Sequence, residues 1–265
     1  KGSSRLIIVI GDRMTNVVKI SVRNLVEYVY RSGSIESGFR ATSTMTEGTR
    51  IHQVIQKGYR EQDEKEVFVE AEIPYENFVV RVDGRCDGLL KDGEAVTIDE
   101  IKSTVHDLAE VQEDSHPVHW AQAIFYGYIY SGEHNLSDVT IQLTYVQVNT
   151  MEQKQFHRVM TYEEMESFVY EVIAKYATFL QVKLKHKINR NKTSKTLAFP
   201  FDTYRDGQRK LAGAVYKTIA DKKTLFASAS TGIGKTISTI FPAVKAIGEG
   251  TLETLFYLTA KTITR

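Results

Sequence analysis

The stretch Gly84–Thr104, "GRCDGLLKDGEAVTIDEIKST", gathers Asp87, Glu100 and Lys102 into a short span. Side chains alternate along a strand, so Glu100 and Lys102 project from one face and Asp99 from the other. Asp87, near the end of the strand before the turn "KDGE", can reach Glu100 and with it clamp a hard divalent cation through oxygen ligands. A lysine beside such carboxylates can orient or deprotonate an attacking water and stabilise a phosphoryl transition state. Asp83, on the same face of the strand, is an alternative for the place of Asp87.

A second chemistry-bearing segment is Ala229–Thr236, "ASTGIGKT". Gly232 and Gly234 let backbone N–H groups close around phosphate oxygens, Lys235 reaches the terminal phosphates of a nucleotide, and Thr236 holds Mg²⁺. This is the Walker A pattern with Ala229 in its first position. The β-like run "TLFASA" before it and a helical pattern after it supply the strand and helix that the motif needs.

Asp87 followed by Glu100-Ile101-Lys102 resembles the PD-(D/E)xK nuclease motif in its RecB-type form. Two further segments resemble that family, in its order. "GTRIHQVIQ" is similar to the upstream helix, in which His52 is implied as a metal ligand, and "QAIFY" is similar to the Gln-x-x-x-Tyr element, as Gln122 and Tyr126. The last two are four residues apart on a helix and so share a face, as suits two groups that contact one substrate strand. The resemblance implies one or two Mg²⁺ or Mn²⁺ ions held by His52, Asp87, Glu100 and the backbone carbonyl of Ile101, with Lys102 serving the water. It covers roughly residues 20–180. Many RecB-type nucleases also carry cysteines for an iron–sulfur cluster, which the single Cys86 cannot supply.

The flanks of the Walker A segment resemble superfamily 2 helicases of the DinG and XPD-like group. "YRDGQRKLAGAVY" is similar to the segment ahead of Walker A, in which Gln208 is implied to read adenine, and "FYLTAKTITR" to the motif that follows. No Walker B carboxylate follows, so ATP is expected as a cofactor of a longer parent protein and ATP hydrolysis is not expected of this chain. The expected fold is α/β. A PD-(D/E)xK restriction-endonuclease-like core (residues 1–180), with a mixed central sheet flanked by helices, precedes a basic linker (181–199) and a truncated P-loop, RecA-like helicase segment (200–265).

These side chains need elements to hold them. Residues 20–60 read as helical around a Gly- and Ser-rich loop, "RSGSIESGFRATS". Val67–Pro74, Phe78–Leu90 and Ala95–Lys102 read as strands of an antiparallel meander, separated by "PYEN" and "KDGE". A helix ending at Gly132, a strand "VTIQLTYVQVN" and a helix over 161–181 follow, the last with Thr161 and Glu164 in capping-box spacing. Beyond Pro200 the pattern predicts a helix over 206–220, the strand "TLFASA", the loop, a helix through Lys245 and a strand "TLFYLT".

The net charge of +1 conceals an asymmetry. Residues 61–114 hold 17 acidic and 5 basic side chains, whereas 181–223 hold 12 basic and 3 acidic ones. An acidic centre followed by a basic strip suits a metal site beside a nucleic-acid track. The expected partner is DNA, single-stranded or with free ends, together with the remainder of a helicase motor. The longest early apolar run, Leu6–Ile10, is too short for a membrane span, so no membrane partner and a cytoplasmic location are expected.

Overall fold

A computed structural model describes residues 16–30 and 42–258. The loop expected over 31–43 lies largely outside the described residues, as do Leu6–Ile10 and the end of the run "FYLTAKTITR". The chain forms two compact units, one ending at Thr178 and the other beginning at Phe179.

The first unit is built on a mixed sheet of six strands among the described residues, flanked by helices. Strand β1 (Asn16–Ser21) runs straight into helix α1 (Val22–Tyr30), and α2 covers Thr42–Gln56. The expected meander forms as β2 (Glu64–Tyr75), β3 (Phe78–Asp92) and β4 (Ala95–Thr104), antiparallel throughout. Helix α3 (Pro117–His134) then crosses to β5 (Asp138–Gln147), which lies parallel to β4, and β6 (Gln153–Thr161) pairs antiparallel with β5. Helix α3 runs past Gly132 to His134 and is stopped by Asn135 in the left-handed region, whose N–H reaches the Ser131 carbonyl.

Strand β3 organises this unit. Strand β2 pairs with it along its length, while β1 pairs in parallel with residues 78–83 and β4 only with residues 88–92. Between those two stretches β3 has neither β1 nor β4 as a neighbour, and Asp87 stands in that gap. The core is aliphatic and aromatic, with Val80, Val82, Ile98, Phe125, Ile141 and Leu143 almost fully buried. Strands β1 and β6 carry too few apolar residues to stand out in the sequence. The burial of β6 alternates only between exposed and half-buried, as befits an edge strand.

Helix α4 (Tyr162–Thr196) opens with the expected capping box. The Thr161 N–H donates to Glu164 Oε2 at 2.8 Å and the Glu164 N–H to Thr161 Oγ1 at 3.2 Å, an arrangement that contributes about 1 kcal/mol. The linker expected at 181–199 is corrected: those residues continue α4 to Thr196. Neither Gly nor Pro occurs between Tyr162 and Phe199, so nothing breaks the helix even though its apolar period fades.

In the second unit, α5 (Gln208–Ala220) packs on α6 (Lys235–Gly248). The expected strands "TLFASA" and "TLFYLT" are not formed: residues 224–229 and 254–258 have β-rich composition but no ladder to join, and a strand without a partner leaves its backbone groups unsatisfied. Phe226, Phe256 and Leu258 are 95%, 81% and 89% exposed. Among the described residues, no helix is long and apolar enough to cross a membrane.

Candidate functional site

The gap in β3 positions the first of the site side chains. Where β3 and β4 part, the next N–H of β4, that of Ile101, has no β3 carbonyl to meet, and Asp87 Oδ2 accepts it at 2.8 Å. The other carboxylate oxygen, Asp87 Oδ1, lies 3.2 Å from His52 Nδ1 on α2. Helix α2 is held over the sheet by a small apolar cluster of Ile51, Ile101 and Val146, so the residue next to Ile51 is brought to Asp87. Asp83 is exposed and pairs with Ser21 and Glu70; the imidazole meets Asp87.

Strand alternation separates the remaining groups as the sequence implied. Lys102 Nζ donates to Glu100 Oε1 at 2.5 Å and to Gln122 Oε1 at 3.3 Å, and Gln122 Nε2 donates to Tyr126 Oη at 3.2 Å. Gln122 and Tyr126 thus sit on one face of α3, in line with Lys102. On the other side of β4, Asp99 accepts from Tyr59 Oη (2.7 Å), Gln142 Nε2 (2.9 Å) and Thr144 Oγ1 (2.6 Å), a closed buried network with no part in the site. Two glycines admit these aromatic rings. A Cβ on Gly84 would lie 2.6 Å from Tyr126 Cε1, and one on Gly88 would lie 2.2 Å from Tyr59 Oη.

The electrostatics are those of a site that concentrates negative charge under cover. Burial, reinforced by Asp87, pushes the Glu100 carboxyl up to about 8 despite Lys102. Glu100 Oε2 is buried with no hydrogen-bond partner among the described residues. Burial opposes protonation of His52, but the hydrogen bond and charge of Asp87 outweigh it and raise its pKa. Burial and Glu100 keep the Tyr126 hydroxyl protonated well beyond the usual range. An orphaned carboxylate oxygen, a second carboxylate and an imidazole fit a hard divalent cation. The Ile101 N–H is taken by Asp87.

Three groups at the site escaped the sequence reading. Glu66 of β2 joins His52 and Asp87 in a set whose ligand atoms all lie within 4.8 Å of one another. Gln56, one helical turn after His52, donates to Glu66 Oε1 at 3.0 Å and to the Asp87 carbonyl at 2.9 Å. The spacing of His52 and Gln56 on one helix face was a usable signal; Glu66, one acid among many in its run, gave none. His119, one turn before Gln122, bonds through Nδ1 to Tyr145 Oη at 2.8 Å, and burial with help from Lys102 pushes its pKa down to about 3.

In the second unit the glycine-rich loop ends on Gly234, left-handed at φ 82°, directly before α6. Gly232 is also left-handed, at φ 85°. Lys235 Nζ donates to the carbonyls of Ala229 (3.1 Å) and Ser230 (2.9 Å), and Thr236 Oγ1 meets Tyr257 Oη at 3.1 Å. Gln208 is buried against the loop: a Cβ on Gly234 would lie 2.4 Å from its Nε2, and its Oε1 accepts the Arg205 N–H at 3.0 Å.

No protein-family model matches the chain, and no curated protein is similar to it. Among solved structures, one described as the crystal structure of SSO0001 is similar over 59% of this chain and 75% of its own, at 17% identity and a TM-score of 0.39. The chain's own side chains therefore carry the reading of its function.

Proposed function

We propose that the first unit is a divalent-metal-dependent nuclease of the PD-(D/E)xK type that hydrolyses phosphodiester bonds in single-stranded or end-bearing DNA. The observation that carries this reading is the convergence of His52, Asp87, Glu100 and Lys102 at the divergence of β3 and β4, with Gln122 and Tyr126 aligned beside Lys102. His52, Asp87 and Glu100, with the Ile101 carbonyl, would hold Mg²⁺ or Mn²⁺. A cation bound there would supply Lewis acidity to the scissile phosphate.

The chain's own groups account for the rest. Lys102, an ammonium held between Glu100 and Gln122, is aimed by two acceptors and offers its positive charge to the developing phosphorane. Gln122 and Tyr126 present an amide and a hydroxyl one turn apart along α3, a spacing that suits successive contacts to one strand backbone. Asp87 holds His52 on one oxygen and the Ile101 N–H on the other, so its carboxylate cannot swing away. The Walker A-like segment, with Gln208, Gly232, Gly234, Lys235 and Thr236, belongs in this reading to the start of a DinG-like helicase motor that binds ATP when complete.

End-labelled single- and double-stranded DNA incubated with Mn²⁺, Mg²⁺ or chelator tests the proposal. Cleavage should depend on metal, and Glu100→Ala or Lys102→Ala should abolish it while leaving DNA binding within about twofold, because neither residue lies in the basic strip. Normal cutting by Glu100→Ala would mean that the site is misassigned.

A further inference from the structure

The groove in front of the site holds a carboxylate for which the proposed nuclease chemistry has no use. This groove, of about 710 Å³, is lined by Thr49, His52, Gln56, Lys65, Glu66 and Asp87. Lys65 pairs with Gly88 and Val67 with Cys86, so Glu66 stands across the ladder from Asp87. Two carboxylates facing each other across an antiparallel pair repel, which destabilises a sheet unless something positive lies between them. Glu66 is also in the left-handed region, at φ 53°, a conformation that is unfavourable for a residue with a Cβ. Gln56, 7% exposed, keeps it there by bridging Glu66 Oε1 and the Asp87 carbonyl through one amide nitrogen.

The expected third ligand, Glu100, has one oxygen engaged. Glu100 Oε1 is paired with Lys102, and no Glu100 oxygen belongs to the set of ligand atoms that lie within 4.8 Å of one another. That set is His52, Glu66 and Asp87. Glu100 Oε2, buried with no hydrogen-bond partner among the described residues, is an independent sign that this neighbourhood can take a cation.

We infer that Glu66 is a metal ligand, and that a divalent cation binds the DNA-free protein through His52, Glu66 and Asp87, with Glu100 beside them. The inference rests on the nuclease reading for the cation's purpose but not for its binding. Glu66 gives the site two carboxylates on adjacent strands and an imidazole from the helix above, a mixed oxygen and nitrogen set that suits Mn²⁺ as well as Mg²⁺. Its exposure places the cation at the mouth of the groove, where a phosphate could reach it.

Mn²⁺ alone, titrated into the full chain without DNA and followed by the loss of the free-ion paramagnetic resonance signal, provides the test. Glu66→Gln should weaken binding at least about tenfold, whereas Glu70→Gln, on the same strand but outside the set, should leave it within about twofold. Glu66→Gly is the companion variant: it removes the ligand but suits the left-handed backbone, so it should lose Mn²⁺ with an unchanged or raised Tm, which a merely structural role for Glu66 would not produce. Wild-type affinity in Glu66→Gln alongside loss in His52→Ala would overturn the inference, as would equal losses in Glu66→Gln and Glu70→Gln. Absence of Mn²⁺ binding by the wild-type chain would overturn it together with the nuclease reading. Glu66-dependent binding with no cleavage of any DNA would uphold it and remove the nuclease reading alone.

Discussion

Glu100 and His52 make the site sensitive to protons, and both act in the same direction. Glu100 is raised in the folded state from an ordinary 4.5 to about 8, so across that window the native chain keeps a proton that the unfolded chain has released. Stability falls as pH rises wherever the native state binds more protons, so this contribution is present below about 4.5 and lost by about 8. His52 is also raised, and its contribution is complete below 6.5 and lost as pH climbs through the higher folded value. The metal-free protein should therefore lose thermal stability between pH 5 and 9, and Glu100→Gln should flatten that decline. A Tm profile in chelator that is the same for Glu100→Gln and wild type would show that the carboxyl is not held protonated. The sequence made Asp87, Glu100 and Lys102 visible because strand alternation fixes which side chains share a face. It could not reveal Glu66, whose role depends on cross-strand register and on a backbone angle that no residue type announces.

Among the elements, helix α3 and the long α4 carry the two clearest consequences. Helix α3 can bring Tyr126 against β3 only because residue 84 has no Cβ, the ring carbon lying 2.6 Å from where one would be. Gly84→Ala should push Tyr126 and with it Gln122 out of line, lowering cleavage about tenfold or more while costing about 1–3 kcal/mol of stability from overpacking. Equal activity in that variant would separate the aromatic from the chemistry. The basic strip of 181–196 was legible as charge but not as structure, because its apolar period fades after Leu180 and the absence of Gly and Pro is a quieter signal. As a helix it displays exposed Lys183, Lys185 and Lys192, while Lys187 and Arg190 pair with Glu253. If this face holds DNA, the salt dependence of affinity should have a slope of roughly −0.7 per phosphate contact on single strands. Replacing Lys183, Lys185 and Lys192 with Ser should reduce that slope, and an unchanged slope would place the DNA elsewhere.

At the scale of the whole molecule, the two units differ in how well each satisfies its own backbone and apolar surface. The first has a six-stranded sheet with a buried core on which every proposed site residue is anchored by at least one hydrogen bond or ion pair. The second holds the end of α4 and the packed pair α5 and α6, and its segments of strand-like sequence join no ladder, with Phe226, Phe256 and Leu258 turned to solvent. The left-handed glycines of the loop before α6 were legible in the sequence because glycine placement is local chemistry; the failure of the flanking strands was not, because a strand is specified by its neighbours in a sheet. Lys235 rests on the carbonyls of Ala229 and Ser230, an arrangement that leaves its charge partly engaged within the loop. Holding phosphate and activating water are separate tasks performed by separate groups, and among the described residues Lys235 bonds to the Ala229 and Ser230 carbonyls and Thr236 to Tyr257, none of them a carboxylate. This 265-residue chain should therefore show no DNA-stimulated ATP hydrolysis, and Lys235→Ala should leave metal-dependent cleavage unchanged. Limited proteolysis should cut first within 224–234 and 252–258, where the backbone is largely exposed and joins no sheet, and spare the sheet of the first unit. Robust ATP turnover that disappears in Lys235→Ala would overturn this division of labour, since it would require a water-activating carboxylate that the second unit does not place at its loop.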